Sequence, residues 1–293
     1  MSAVRAIVLG VLVAALAPAC GGSGGGEEEI VFVLPEGGRA TTATAVFVTD
    51  PAGERDARRL TSPPEGESDS EPAWSPDGSQ VVFVRRGRES RVLVVGRDGG
   101  EPDAILPAGT YSSPSWSPDG ERIAYFEQSA DGWDVMVARA DGSGRRRLVD
   151  LPNDPAGVGP VVGGLDWGPD GSLAVAYAPV AQAGQDLEYE LYVAGEDGET
   201  GERLAPGTNP SWSPDGGRIA FETAEGISIV ARDGTGRRTL LEGNVLRPDW
   251  SPDGERIVFT DGALRLTVVE VDGDGERTLV RRGADPDWGR AGD

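Results

Sequence analysis

The feature that most restricts the fold is a seven-residue phrase that returns along the chain. It reads Pro-Ala-Trp-Ser-Pro-Asp-Gly at 72–78, Pro-Ser-Trp-Ser-Pro-Asp-Gly at 114–120 and 210–216, and Pro-Asp-Trp-Ser-Pro-Asp-Gly at 248–254. A variant, Leu-Asp-Trp-Gly-Pro-Asp-Gly, occupies 165–171, and a truncated copy, Pro286-Asp287-Trp288-Gly289, lies near the end of the chain. Taking Trp74, Trp116, Trp167, Trp212, Trp250 and Trp288 as the register, the spacing is 38 to 51 residues, which suits one four-stranded propeller blade per repeat.

The chemistry of the phrase is that of a turn. Proline presets the first central dihedral, aspartate accepts hydrogen bonds from nearby amides, and glycine takes the positive φ that ends the turn. Asp77, Asp119, Asp170, Asp215 and Asp253, with Gly78, Gly120, Gly171, Gly216 and Gly254, therefore read as turn formers, since a reaction centre rarely needs five equivalent copies. Tryptophan supplies the flat surface that one sheet buries against the next.

Each repeat continues with short β runs, such as Val81–Val84, Ile123–Phe126, Ile219–Phe221 and Ile257–Phe259, then Arg91–Val95. A second Asp-Gly turn follows, as at Asp98-Gly99, Asp141-Gly142, Asp197-Gly198, Asp233-Gly234 and Asp272-Gly273, and leads to a last strand such as Arg146–Val149 or Arg238–Leu241. Ahead of the first full phrase, Ile30–Leu34, Ala43–Thr49 and Arg58–Thr61 are strand-like but lack an opening tryptophan strand. Asp285–Trp288 supplies it. The expectation is an all-β, six-bladed, monomeric propeller of four-stranded blades, its first blade closed by the C-terminal strand, which hides the sheet edges that invite aggregation.

Composition narrows the chemistry. A net charge of −22 and a pI near 4.4 repel a phosphate backbone, so nucleic acid is excluded as a partner and the arginine groups at Arg85, Arg86, Arg88 and Arg145 to Arg147 read as solvated islands. The chain has no histidine, which removes the base of Ser-His and Cys-His systems and the imidazole ligands of most catalytic zinc and iron sites. Carboxylate chemistry and calcium remain open. No carboxylate pair stands out beside the repeating turns, and Asp272-Gly273-Asp274 does not continue as a calcium loop. We expect no enzyme, cofactor or metal.

The first nineteen residues carry one cation, Arg5, then an apolar run from Ala6 to Ala17 ending in small residues. That is the layout of a secretory signal, too short to span a bilayer. Cys20, the single cysteine, follows at once and opens a Gly/Ser stretch. This resembles a bacterial lipoprotein signal, in which the cysteine becomes the lipidated N-terminus. It departs from that pattern at Ala17, where leucine is usual; the alternative is a secreted protein whose cysteine bears no lipid. The domains read as a signal peptide over 1–19, lipidated Cys20 with its tether over 20–28, and a propeller over 29–293. With one cysteine there is no internal disulfide, so packing alone must hold the fold.

From Ile30 onward the Trp-Ser-Pro-Asp-Gly repeats resemble the TolB-type propeller family, also seen in tricorn and prolyl oligopeptidase-type propellers. The resemblance implies the fold; neither the N-terminal domain of TolB nor a hydrolase domain is recognisable beside the repeats. Short uniform turns fall on one face. The irregular segments 62–70, 129–133, 153–164 and 179–188 fall on the other, and variable loops on a rigid scaffold are where binding resides. Trp133, Tyr111, Tyr189, Arg85, Arg86 and Asp154 are the candidate contacts there, as aromatic anchors or charges; Trp133, off the repeat register, is placed in a loop. The function expected is an exported, membrane-anchored binding module of the cell envelope or periplasm, touching the membrane only through its lipid and recognising a protein or an envelope glycan. The competing reading is a propeller enzyme or lectin acting on glycans with carboxylates or calcium.

Overall fold

A computed structural model of the chain describes residues 28–35, 43–130, 132–151, 161–178, 188–280 and 282–290. Their regular structure is twenty-four strands in six antiparallel sheets of four. Blade 1 holds β1 (Glu28–Pro35), β2 (Thr44–Thr49) and β3 (Arg58–Arg59); blade 2 holds β4 (Ser68–Trp74), β5 (Gln80–Arg86), β6 (Arg91–Gly96) and β7 (Asp103–Ala104). Blade 3 holds β8 (Tyr111–Trp116), β9 (Arg122–Ser129), β10 (Gly132–Arg139) and β11 (Arg146–Val149); blade 4 holds β12 (Val161–Trp167), β13 (Leu173–Ala178), β14 (Glu190–Ala194) and β15 (Thr200–Pro206). Blade 5 holds β16 (Thr208–Trp212), β17 (Arg218–Thr223), β18 (Gly226–Ala231) and β19 (Arg238–Glu242); blade 6 holds β20 (Val245–Trp250), β21 (Arg256–Asp261), β22 (Leu266–Glu270) and β23 (Arg277–Val280). The last strand, β24 (Ala284–Arg290), pairs with β1 and becomes the innermost strand of blade 1, with Ile30 opposite Trp288.

Every Ser-Pro-Asp-Gly segment is built as its chemistry requires. In blade 2 the Ser75 carbonyl accepts from Gly78 N at 2.8 Å, the Ser75 hydroxyl donates to Asp77 at 2.6 Å, and the same hydroxyl accepts from Gln80 N at 3.0 Å. Blades 3, 5 and 6 repeat the arrangement. Blade 4, with Gly168 in place of the serine, moves the hydroxyl to Ser172, which donates to Asp170 at 2.6 Å. Hydrogen bonds from Ser75, Ser117 and Ser213 hold Asp77, Asp119 and Asp215 below the usual carboxylate value. All of these carboxylates serve the turn.

Six apolar clusters fill the six gaps between blades, and each contains one repeat tryptophan. Trp74, for example, lies among Val31, Val33, Val46 and Val48 of blade 1 and Val81, Phe83, Leu93 and Val95 of blade 2. The six rings are 3–7% exposed, and burying one is worth roughly 5 kcal/mol of transfer free energy before entropy is subtracted.

The second Asp-Gly turn has a comparable role at the rim. Its glycine looks onto the outer strand of the preceding blade: a Cβ on Gly142, at φ +79°, would sit 1.7 Å from the Ile105 carbonyl oxygen, and one on Gly198 would sit 1.9 Å from that of Leu148. Outer-strand arginines clamp in the other direction, Arg58 to Arg97 O at 3.0 Å, Arg238 to Val271 O at 2.6 Å and Arg277 to Pro51 O at 2.7 Å.

Trp133 departs from the sequence expectation. It is the second residue of β10, paired with Gln128, because β9 and β10 stay paired as far as Ser129 opposite Gly132, where a loop over 129–133 was expected.

Candidate axial binding site

The six innermost strands, β24, β4, β8, β12, β16 and β20, run along the axis from the face of inter-blade links, here the loop face, to the face of Ser-Pro-Asp-Gly turns, the turn face. Each pairs on one side only, so its other edge must find partners at the axis. Each also breaks register part-way along. At the break the backbone turns left-handed, with φ of 48–53° at Glu71, Ser113, Asn209, Arg247 and Asp285 and 111° at Gly164. Proline follows in five of the six, and Leu165 in blade 4. For the five residues with a side chain this conformation costs roughly 1 kcal/mol each. A bulge of this kind re-aims a side chain, and here it brings all six positions to line the loop-face mouth of the axial channel.

Charges interlock at that mouth. Arg247 reaches across two blades, its Nε 3.0 Å from Asp285 and its Nη2 3.6 Å from Glu71. Glu71 also takes Arg86 Nη2 at 2.9 Å and Ser113 N at 2.8 Å. Glu222 accepts from Asn209 Nδ2 at 2.9 Å and from Arg247 N at 3.3 Å. Burial disfavours the charge on Arg247, but Asp285, Glu71 and Glu222 outweigh it and hold the guanidinium protonated.

Deeper in the channel, the residue before each tryptophan reaches the next blade. Asp287 accepts from Trp74 N at 2.8 Å, Ser115 from Trp167 N at 3.3 Å, Asp166 from Trp212 N at 2.9 Å, Ser211 from Trp250 N at 3.4 Å and Asp249 from Trp288 N at 2.6 Å. The ring of bonds breaks once, where blade 2 presents Ala73 towards Trp116. Three carboxylates thus converge at the waist. Burial, reinforced by the charge of Asp249, pushes Asp166 up to about 7; burial likewise raises Asp249, and burial with the charges of Asp249 and Asp166 raises Asp287. Beyond the waist the channel widens to a turn-face funnel of about 520 Å³ walled by the six tryptophans and by Pro76, Pro118, Pro169, Pro214 and Pro252.

The residues singled out in the sequence are dispersed. Arg86 stands at the loop-face mouth through Glu71. Arg85 is buried in a two-pronged pair with Asp69, at 2.7 and 3.0 Å, and Tyr111 is 1% exposed with its hydroxyl donated to Pro107 O at 2.9 Å; both belong to the interior. Trp133 is half-buried against the cluster between blades 3 and 4. Tyr189 lines a groove of about 610 Å³ on blades 4 and 5, with Glu190, Arg203, Glu222, Glu225 and Arg237. Cys20 and Asp154 lie outside the described residues. Two sets escaped the sequence reading, the residue before each repeat proline and the Asp before Trp167, Trp250 and Trp288. Their signal was variation immediately before and inside an otherwise constant phrase.

A search of the curated proteins found no match. The family model for the lipoprotein LpqB beta-propeller domain matches residues 54–163. Among solved structures, TolB from Acinetobacter baumannii has a TM-score of 0.71 at 20% identity over 89% of this chain and 66% of its own, so the chain spans just under two thirds of that protein. A chain of a nidogen/laminin complex has a TM-score of 0.69 at 16% identity, over 91% of this chain and 100% of its own. A putative TolB from Agrobacterium tumefaciens has a TM-score of 0.62 at 21% identity, over 87% of this chain and 89% of its own. At these identities the likeness is one of fold: the chain is a six-bladed β-propeller whose fold is similar to that of the TolB structures, and over residues 54–163 it is similar to the lipoprotein LpqB beta-propeller domain.

Proposed function

We propose that the chain is an exported, lipid-anchored binding module of the cell envelope that recognises a protein at the loop-face mouth of its axial channel. One observation carries the reading. A backbone that is nearly six-fold presents Glu71, Ser113, Gly164, Asn209, Arg247 and Asp285 at equivalent positions, whereas the turn face repeats one chemistry in blades 2 to 6. Strained backbone concentrated where the side chains differ is the pattern of a recognition site. The likeness to an LpqB lipoprotein domain supports the envelope and the anchor at Cys20, and the similar nidogen/laminin structure is a protein–protein complex. Arg86, Trp133, Tyr189 and Asp154 are the flanking contacts in this reading.

The test is retention of a protein from envelope extract on the immobilised propeller from residue 27 onward. Loss of that protein with Arg247→Gln and with Asn209→Ala, but not with Asp98→Ala on the turn face, supports the mouth as the site. Retention through both mouth variants overturns it. A second reading, glycan or calcium chemistry on carboxylates, draws on the convergence of Asp166, Asp249 and Asp287. It stands second because each of the three already accepts a tryptophan N–H across a blade boundary; among the described residues no group of three or more His, Cys, Asp or Glu side chains is arranged to hold a metal. Sugar released from envelope glycan by the parent and not by Asp249→Asn would promote it.

A further inference from the structure

We infer that the anchored propeller stands with its turn face to the bilayer and its loop-face mouth pointing away, so that the partner comes from outside the membrane and is neither a lipid headgroup nor a protein buried in the same bilayer. The inference rests on the proposed lipid at Cys20 and on the position of Glu28, the first described residue. Glu28 is pinned on the turn face: its carboxylate accepts from Trp288 Nε1 at 3.2 Å and from Arg256 Nη2 at 3.0 Å, and the same guanidinium holds Asp253 of a Ser-Pro-Asp-Gly turn at 3.0 Å. From there β1 runs towards the loop face.

Chain length then decides the orientation. Eight residue steps separate Cys20 from Glu28, a reach of at most about 28 Å when fully extended. To lay the loop face on the bilayer, the tether would have to pass outward over β2 and β3, about 10 Å at the usual strand spacing, and then descend a blade about 26 Å deep, as judged from the eight residues of β1. That path of about 36 Å, before side chains are added, is longer than the tether. The turn face needs no detour. Its aspartates, among them Asp98, Asp119, Asp141, Asp215, Asp233 and Asp272, repel anionic headgroups, so it stands off from the lipid and does not adsorb.

A fluorescence experiment on the full lipidated chain tests this. Once Cys20 is acylated, an introduced cysteine is the only thiol, because the sequence has no other. Asp98→Cys places a fluorophore on the turn face and Glu89→Cys places one on the loop face, both at exposed positions. The two proteins are reconstituted into phosphatidylcholine vesicles carrying a headgroup-linked quencher, and flotation measures how much is bound. The expected result is stronger quenching at position 98 than at position 89. Equal or reversed quenching in protein that floats overturns the orientation while leaving the anchor standing; failure to float overturns the anchor and the orientation together.

Discussion

Asp166→Asn separates two roles of the channel carboxylates, because asparagine keeps an acceptor for Trp212 N and loses the charge. Asp166 binds its proton more tightly in the folded ring than in the unfolded chain, as burial and the charge of Asp249 favour the neutral form. The stability tied to that proton is complete below about pH 4 and is lost as pH rises through about 7. Moving the carboxyl from its ordinary 3.8 to about 7 corresponds, at about 1.4 kcal/mol per pH unit, to a ceiling of roughly 4 kcal/mol against the ionised fold. Solvent reaches the side chain through the channel, and the new amide must donate to Ser115, which now donates to Asp166 at 3.0 Å; that rearrangement costs about 1 kcal/mol. The variant should therefore be more stable than the parent by roughly 2 kcal/mol at pH 8, a rise of several degrees in melting temperature, and equal or slightly less stable at pH 4. Thermal unfolding of both proteins from pH 4 to 8 reads the difference directly, and the global effect of the acidic surface cancels between them. A variant no more stable than the parent at pH 8 would show that the waist accommodates its charges at little cost and would refute the reasoning.

Three other outcomes follow from the packing. Ala73→Ser supplies the missing acceptor opposite Trp116 N and should stabilise by about 0.5–1 kcal/mol, read as a higher urea midpoint with unchanged slope. Trp288→Ala opens the cluster that joins blade 6 to blade 1 and should cost about 3–5 kcal/mol, whereas Trp133→Ala, at a half-buried position, should cost clearly less; parallel denaturant melts compare them. Gly142→Ala forces a side chain into the Ile105 carbonyl at φ +79° and should cost at least about 2 kcal/mol, visible as a lowered melting temperature.

Much of the fold was legible because its constraints are local and repeated. Asp77-Gly78 and its copies encode a turn within a few residues, each tryptophan is the large apolar residue a blade gap needs, and the absence of an opening strand before Ile30 matched the spare strand at 285–288. The site was less legible, for the same reason inverted. A phrase repeated six times draws attention to what is constant, and what is constant is scaffold. Arg85 and Tyr111 looked like surface contacts because a charge and an aromatic beside a loop usually face water, but Asp69 in β4 and Tyr125 in β9 give them partners inside, across the Ser-Pro-Asp-Gly hairpin of each blade, and the run of residues around each one does not show what stands opposite it. Arg247 meets Glu71 across 176 positions of chain, a contact that exists only once the ring has closed. The ring also gives single substitutions in the phrase their meaning. Aspartate in place of alanine or serine before a tryptophan is a minor change in one blade, yet three such changes place three carboxylates around one axis. Sequence variation in a propeller is therefore best read around the ring, position by position, since the residues that share a register are the ones that meet.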